Sequence, residues 1–155
     1  MEFQSKEDIE APIAEVFGAV SDFELMERSA LRRGIEVQRI GDTAHPESGL
    51  AWDMSFRFRG KQRDVRLTMA DYAPVTGMAL DGAGSGIEGR MVIELLALPP
   101  QRTRMSFSLK LSAPSLPGRL LVQSLNLPRS TLPRRFKLRL ADYARLTEER
   151  LNRSA

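Results

Sequence analysis

The sequence predicts an α+β fold in which a curved antiparallel sheet packs around a C-terminal helical segment. Two short stretches near the N-terminus carry apolar residues at helical spacing. From about residue 35 to residue 112, apolar and polar residues alternate as they do in half-buried antiparallel strands. From residue 115 onward the spacing is helical again. The predicted order is one strand, two short helices, six strands and a long broken helix.

The N-terminal part predicts an edge strand and then two helices. Residues 3–9 alternate loosely between apolar and polar side chains. Pro12 stands at the start of the next segment, where a helix tolerates proline. Ser21 and Asp22 are capping residue types that open a second helix, and Gly34 is suited to end it. The first helix has one apolar face, formed by Ile13, Val16, Phe17 and Val20.

The six central strands are predicted to form a meander with one apolar face. Residues 52–58 and 65–69 alternate around the turn at Gly60-Lys61, so they form a hairpin. Residues 84–89 spell G-x-G-x-x-G, but residues 90–98 have strand alternation, whereas a dinucleotide-binding loop requires a helix there. The inward positions are Trp52, Met54, Phe56, Phe58, Val65, Leu67, Met69, Met78, Leu80, Met91, Ile93, Leu95, Met105, Phe107 and Leu109.

The C-terminal helical segment carries the longest apolar stripe, so we expect it to cover the sheet. Ser115 is the predicted cap, with Pro117 in the first turn. Pro128 and Pro133 are expected to kink or break the helix, because proline lacks an N–H and crowds the preceding turn. The predicted buried stripe comprises Leu120, Leu121, Leu125, Leu132, Phe136, Leu140, Tyr143 and Leu146, and ends near Leu151.

Composition excludes several classes of site. The chain has 155 residues, with 23 basic and 20 acidic side chains, no cysteine and one histidine. Disulfides, thiolate metal sites, cysteine nucleophiles and multi-histidine metal sites are therefore excluded. The start of the chain lacks a signal-peptide pattern, and no apolar run reaches the ~18 residues of a membrane span. We expect a single cytoplasmic domain over residues 1–155.

The opening of the chain resembles a known superfamily. Residues 9–17, with the sequence IEAPIAEVF, and the following Ser21-Asp22-Phe23 are similar to the start of the START-related, pollen-allergen-like superfamily, which includes polyketide cyclase/dehydrase-like proteins. The resemblance implies the helix-grip fold, a curved seven-stranded sheet around the C-terminal helix with a cavity between them. It also implies binding of lipids, sterols, quinones, polyketides or hormones, and catalysis in some members.

The inner face of the predicted sheet favours binding over catalysis. None of the inward positions named above is titratable, and general acid–base catalysis needs such a group within reach of the substrate. Its methionines suit varied apolar ligands, and they suit a loosely packed core equally well. We predict an apolar or amphipathic ligand (lipid, quinone or polyketide-like), with no catalytic residue, metal or cofactor. The predicted ligand contacts are Trp52, Met54, Phe56, Met69, Met78, Met91, Phe107, Leu125, Phe136 and Tyr143.

Two further functions stay open at this point. A cyclase- or dehydratase-like enzyme would use Tyr143 or Asp81 as acid or base. A peripheral membrane or partner-binding module would use a basic stretch with no acidic residue in it, and weak contact with anionic membrane would come from Arg129, Arg134, Arg135, Lys137 and Arg139. No nucleic-acid partner is predicted, and the sequence leaves the oligomeric state open. Residues 12–31 and 114–133 are expected to flank the cavity entrance.

Overall fold

The computed structural model describes residues 1–125 and 131–153. Within them the chain forms the strands and helices in the order that the sequence predicts. Those elements are β1 (Glu2–Ile9), α1 (Ile13–Val20), α2 (Phe23–Arg32), β2 (Glu36–Ile40), β3 (Ala51–Phe58), β4 (Lys61–Ala73), β5 (Gly77–Gly84), β6 (Ile87–Leu98), β7 (Arg102–Ser112), α3 (Leu116–Leu125) and α4 (Thr131–Arg153), with a short 3-10 turn at Pro46–Ser48 between β2 and β3.

The predicted seven-stranded antiparallel sheet is confirmed. Its strand order is β1-β7-β6-β5-β4-β3-β2, so β2 to β7 form a meander and β1 returns to pair with β7. That pairing runs the full length of β1, from Glu2 opposite Lys110 to Ile9 opposite Thr103. In β4 the register with β5 shifts between Met69 and Asp71, and such irregularities bend a strand. Helix α4 covers one face of the sheet, which we call the inner face, and the opposite side is the outer face.

The outer face is polar and carries cross-strand ion pairs. Arg66 Nε lies 2.7 Å from Asp53 Oδ1 across β4 and β3. The hydrogen bond from Arg66 holds the pKa of Asp53 below its ordinary value. Arg104 pairs in the same way with Asp8 across β7 and β1, at 2.9 Å. Exposed pairs of this kind contribute little to stability, so we interpret them as fixing strand register against the wet side of the sheet.

The closed part of the core lies at the end of the sheet where β1 meets α1. Ile9, Val16, Leu50 and Met105 are fully buried there. The hydroxyl of Thr103, itself buried, donates to the Ala11 carbonyl at 2.8 Å, so the strand-to-helix corner is tied to β7. The predicted cap of α2 is also present, because the Asp22 carboxylate accepts from the Leu25 N–H at 3.2 Å.

Helix α4 covers the inner face, but its buried stripe differs from the predicted one. Phe136 packs against Phe107, with ring centroids 5.3 Å apart, and against Phe3 at 5.6 Å. Beyond Leu140, the buried positions are Ala144 and Thr147. The predicted Tyr143 and Leu146 are 39% and 54% exposed. The small side chains of Ala144 and Thr147 let the helix approach β1 and α1 closely. Because helical neighbours are three or four residues apart, a step from Leu140 leads equally well to Tyr143 or Ala144, and the period alone does not choose between them.

The predicted proline breaks and the α3 stripe also need correction. Pro133 lies in the first turn of α4, a position that helices tolerate, and the helix runs on through it to Arg153 without a break. Pro128 lies outside the described residues. In α3 the predicted buried Leu120 is 59% exposed, while Leu121 is half-buried. The predicted cap is confirmed, since the Gly118 N–H donates to the Ser115 hydroxyl at 3.1 Å.

A polar cluster joins α2 to the edge of the sheet. The indole N–H of Trp52 on β3 donates to Glu27 on α2 at 2.9 Å. Arg39 on β2 donates to the same carboxylate, with Nε 2.7 Å from Oε2. The Trp52 ring packs on Phe23, with centroids 5.5 Å apart. Hydrogen bonding from Arg39, with a further bond from Trp52, lowers the pKa of Glu27 below 4.5.

Replacing Phe107 tests the strand register. Phe107→Ala removes a half-buried ring from its contact with Phe136, and we expect a loss of about 2–4 kcal/mol in the free energy of unfolding. Ser108→Ala, one residue further along β7, should change it by roughly 0.5 kcal/mol or less. Chemical denaturation of both variants measures the difference. Equal losses would show that the inner and outer faces of β7 are misassigned.

The Glu27 cluster makes stability depend on pH. Because the folded pKa of Glu27 lies below 4.5, its carboxylate stabilises the fold at higher pH, and that contribution is lost as pH falls through the folded value. Glu27→Gln should therefore lower stability near neutral pH, and the difference from the unmodified protein should shrink as pH falls below 4.5 toward the lowered pKa of the folded state. Urea unfolding followed by the fluorescence of Trp52, the single tryptophan, measures this. Glu36→Gln on β2 is the control, and a pH-independent difference would contradict the prediction.

Candidate ligand-binding cavity

A cavity opens on the inner face at the end of the sheet opposite to α1 and α2. Its volume is about 350 Å³. Strands β3 to β7 form its floor and walls, and α3 contributes one side. The residues that line it are Phe56, Phe58, Arg63, Val65, Leu67, Leu80, Gly82, Ala83, Gly84, Ser85, Ile87, Gly89, Met91, Leu109, Leu111 and Leu121.

A row of residues across four strands, which we call the glycine row, explains why there is space here. Leu67 pairs with Gly82, Gly82 with Gly89, and Gly89 with Leu111. All of these positions face inward, and the central pair has no side chains. A Cβ placed on Gly82 would lie 3.0 Å from Leu67 Cδ2, and one on Gly89 would lie 3.0 Å from Leu111 Cδ2. Leu67 and Leu111, at the two ends of the row, therefore contact the glycine positions without filling the space between them.

The neighbouring row closes the cavity toward the core. Met69, Leu80, Met91 and Leu109 pair in succession across β4 to β7. Met69 and Leu80 are buried, while Met91 and Leu109 are half-buried because they border the cavity. The space is thus open at the glycine row and closed one row further along. Its lining is apolar almost throughout, which suits a ligand that gains affinity by leaving water.

Helix α3 is seated on the β5–β6 turn by two glycines. A Cβ on Gly118 would lie 2.0 Å from the Gly86 carbonyl oxygen, so the two backbones touch where no side chain fits. The Ser115 hydroxyl also lies 3.4 Å from the Gly86 carbonyl. At the other end of the helix, Arg59 from the β3–β4 turn donates to the Ser124 carbonyl at 3.3 Å. These contacts bring Leu121 over the cavity.

Arg63 places a charge in the otherwise apolar wall. It shares the inner face of β4 with Val65 and Leu67, and its side chain is half-buried. Its Nε donates to the Phe58 carbonyl at 3.2 Å, which holds the guanidinium at the hairpin end of the cavity. Among the described residues, no carboxylate pairs with it. A guanidinium has five N–H donors, so donors remain for the polar end of a ligand.

Sequence reasoning missed Arg63 and both glycines of the row. The alternation that identified Val65, Leu67 and Met69 continues back to Arg63, and that step would have found it. Gly82 and Gly89 continue the same parity from Leu80 and Met91. They were overlooked because glycine gives no hydrophobic signal, although a missing side chain on an inward position is what creates space.

The predicted ligand contacts do not all come together. Phe56 and Met91 line the cavity. Trp52, Met69 and Met78 are buried in the closed core, and Met54 packs against that core. Phe107 and Phe136 contact each other. Tyr143 lies on the open side of α4, and the side chain of Leu125 lies outside the described part of the chain. Ligand contact by any of these residues stays a prediction.

The predicted entrance and the candidate acid–base groups lie away from the cavity. Helices α1 and α2 contribute nothing to the lining, so of the two segments expected to flank it only the second, with α3, does so. Asp81 is on the outer face, with Arg90 at 3.0 Å. Tyr143 is 39% exposed as a whole, but desolvation of its phenol end raises its pKa above 10.0, so the group stays protonated at neutral pH.

Neither a metal cluster nor a membrane-spanning helix occurs in the described part of the chain. Over residues 1–125 and 131–153, no group of three or more histidine, aspartate or glutamate side chains could hold a metal ion. No helix in the same ranges is long and apolar enough to cross a membrane. The basic residues Arg134, Arg135, Lys137 and Arg139 are exposed on α4, and Arg129 lies outside the described residues.

Similarity to known proteins is found in structure and not in sequence. No family sequence model and no curated protein sequence matches the chain. TTHA0849 from Thermus thermophilus superposes with a TM-score of 0.66 at 13% identity, over 100% of this chain and 99% of its own. The Zhui aromatase/cyclase from Streptomyces sp. R1128 gives 0.66 at 12% identity, over 100% and 96%.

A third structure, Ara h 8.0201, superposes with a TM-score of 0.57 at 16% identity, over 84% of this chain and 91% of its own. The chain has the helix-grip fold that these solved structures share. The resemblance in residues 9–17 and 21–23 is thereby confirmed for the fold. In this helix-grip protein, α4 is the gripped helix and the cavity lies at the end where α3 crosses the sheet.

Proposed function

We propose that this helix-grip protein binds an amphipathic small molecule in the cavity on the inner face of its sheet. The observation that carries the proposal is the glycine row, which leaves about 350 Å³ of apolar space inside an otherwise packed fold. Ligand sites typically occupy roughly 300–1,000 Å³, so the space is at the small end of that range. An acyl chain or a compact ring system suits it better than a large lipid.

The lining supports a ligand with an apolar body. Phe56, Val65, Met91 and Leu121 approach the space from different elements. Burial of apolar surface contributes roughly 25 cal/mol per Å² before the costs of association. Met91 is unbranched and can adjust to the shape of its contacts, which favours acceptance of related ligands over strict selection of one.

Arg63 supports a polar oxygen at one end of the ligand. A guanidinium binds carboxylate and phosphate through charge-assisted hydrogen bonds, and it also donates to a carbonyl oxygen. Lipids, quinones and polyketide-like molecules all combine an apolar body with such oxygen atoms. An aromatase/cyclase stands among the similar structures, and its presence there is compatible with a ligand of this kind.

An enzymatic alternative has less support from the geometry. A cyclase- or dehydratase-like reaction needs a group that transfers a proton within hydrogen-bond reach of the ligand. The candidates Tyr143 and Asp81 do not border the cavity. Arg63 and Ser85 are the polar side chains that do, and neither is an effective general base at neutral pH.

Filling the cavity should abolish ligand uptake. Met91→Trp adds a ring at the border of the space, and we expect it to weaken binding of an apolar fluorescent probe at least tenfold while the domain stays folded. Met26→Trp on α2, where the methionine is 46% exposed, is the matched control and should bind as the unmodified protein does. Probe titration measures uptake, and thermal unfolding in the presence of lipids, quinones and aromatic polyketides measures stabilisation by ligand.

The binding proposal would be wrong if none of these compounds raised the melting temperature and Met91→Trp were strongly destabilising. That pair of results would mean that the space closes on itself and that extra volume is overpacking.

Removing the Arg63 charge should discriminate between ligands. Arg63→Met keeps the apolar stem, and we expect a fatty acid to bind about ten- to a hundredfold more weakly, as for loss of a charged hydrogen bond of about 1.5–3 kcal/mol. The methyl ester of the same acid should be affected much less. Arg57→Met, on the outer face of the same hairpin, is the control. An equal loss of affinity for the acid and for the ester would show that Arg63 shapes the cavity but does not bind the negative charge of the ligand.

A further inference from the structure

The helices beside the cavity expose large apolar side chains to solvent. On α3, Leu116 is 68% exposed and Leu120 is 59% exposed. They lie four residues apart, so they form one outer stripe of the helix, while Leu121 on the other side lines the cavity. On α4, Leu138 is 59% exposed. Singly exposed leucines are common, but a stripe on a short helix that already buries its opposite side is a surface that can bind something apolar.

The same segment is strongly and uniformly basic. Residues 113–141 contain no aspartate or glutamate. Arg119 is exposed on α3, between the two leucines in sequence, and Arg134, Arg135, Lys137 and Arg139 are exposed on the first half of α4. Among the described residues, none of these four α4 side chains takes part in an ion pair. On the outer face of the sheet, by contrast, Arg66 faces Asp53 and Arg90 faces Asp81.

Helix α3 and the first turns of α4 lie at the cavity end of the sheet. Helix α3 is seated on the turn at Gly86, and Leu121 borders the cavity directly. On α4, Phe136 packs on Phe107, two residues along β7 from the cavity-lining Leu109. The cations of α4 flank Phe136 in sequence, so they belong to the same end of the molecule as the cavity.

We propose that the α3 leucines and the α4 cations dock this end of the protein on an anionic lipid bilayer. Leucines enter the boundary between headgroups and acyl chains, while arginine and lysine face the headgroups, which is the arrangement of an interfacial helix. Nucleic acid would be attracted by the cations but would gain nothing from the leucines, and an apolar protein partner would gain nothing from the unpaired cations. A bilayer that carries negative charge satisfies both. The proposal is independent of which molecule occupies the cavity.

Sedimentation with vesicles tests the docking. The full chain should bind phosphatidylcholine vesicles that contain about 30% phosphatidylserine and should bind pure phosphatidylcholine much less. Binding should fall as salt rises from about 0.02 M to about 0.5 M, because the Debye length shrinks to a few ångströms. Equal, salt-insensitive binding to both kinds of vesicle, or no binding at low salt, would overturn the proposal.

Paired variants locate the surface. L116S/L120S and R134Q/R135Q should each lower the partition coefficient on anionic vesicles about tenfold or more. The matched controls are L31S/L96S, which removes leucines that are 56% and 58% exposed elsewhere, and R28Q/R32Q on α2. Controls that weaken binding as much as the test pairs would overturn the proposal, since binding would then depend on the total positive charge or the total exposed apolar surface of the protein and not on this surface.

Two further measurements separate other occupants of this surface. Sedimentation velocity asks whether the chain self-associates, and a dimer that L116S/L120S disperses, without vesicle binding by the unmodified protein, would make the leucines a subunit contact. Competition with heparin tests whether any polyanion is sufficient for binding. If R134Q/R135Q lost both heparin binding and vesicle binding while L116S/L120S kept both, the surface would bind polyanions in general. That result would exclude the bilayer as its specific partner. Circular dichroism and thermal unfolding confirm that each variant is folded, and the arginine pair tests the proposal even if the leucine pair unfolds.

Discussion

Inward side chains of an antiparallel sheet line up in rows across the strands, and the register between β5 and β6 puts two glycines side by side in one of these rows. Gly82 and Gly89 lie at the centre of that row, with leucines at its two ends. If either strand slipped by one residue, the glycines would face solvent and polar residues would face inward. The position, depth and apolar character of the cavity all depend on this register.

The two ends of the inner face consequently serve different purposes. At the α1 end, the packing of Trp52 on Phe23 and the hydrogen bonds to Glu27 hold α2 in place against the sheet. The hydroxyl of Thr103 ties the strand-to-helix corner there to β7. At the other end, α3 meets the sheet through a few contacts around Gly86 and Ser124. Most of the buried core lies toward the α1 end of the inner face, and the unfilled space lies at the other end.

Much of the architecture could be predicted from the sequence, because alternation over long strands specifies both the elements and their inner face. The buried positions of the helices were harder to predict. Tyr143 and Ala144 fit the same helical period, and only the close approach of α4 to the sheet decides which of them is buried. The site was harder again. Its space comes from side chains that are absent, at Gly82 and Gly89, and its charge from Arg63, one alternation step beyond the apolar run. Hydrophobic patterning detects what fills a core and has no signal for what leaves it empty.

The backbone contact between Gly86 and Gly118 has a consequence for how this fold can diversify. With a Cβ on either residue lying 2.0–2.1 Å from atoms of the other segment, neither can accept a side chain while α3 stays in place. A chain that acquires one must move the helix, and the wall that Leu121 provides moves with it. Variation at Gly86 or Gly118, neither of which lines the cavity, would therefore reshape the binding space as a whole, while substitutions of its lining residues would change it locally.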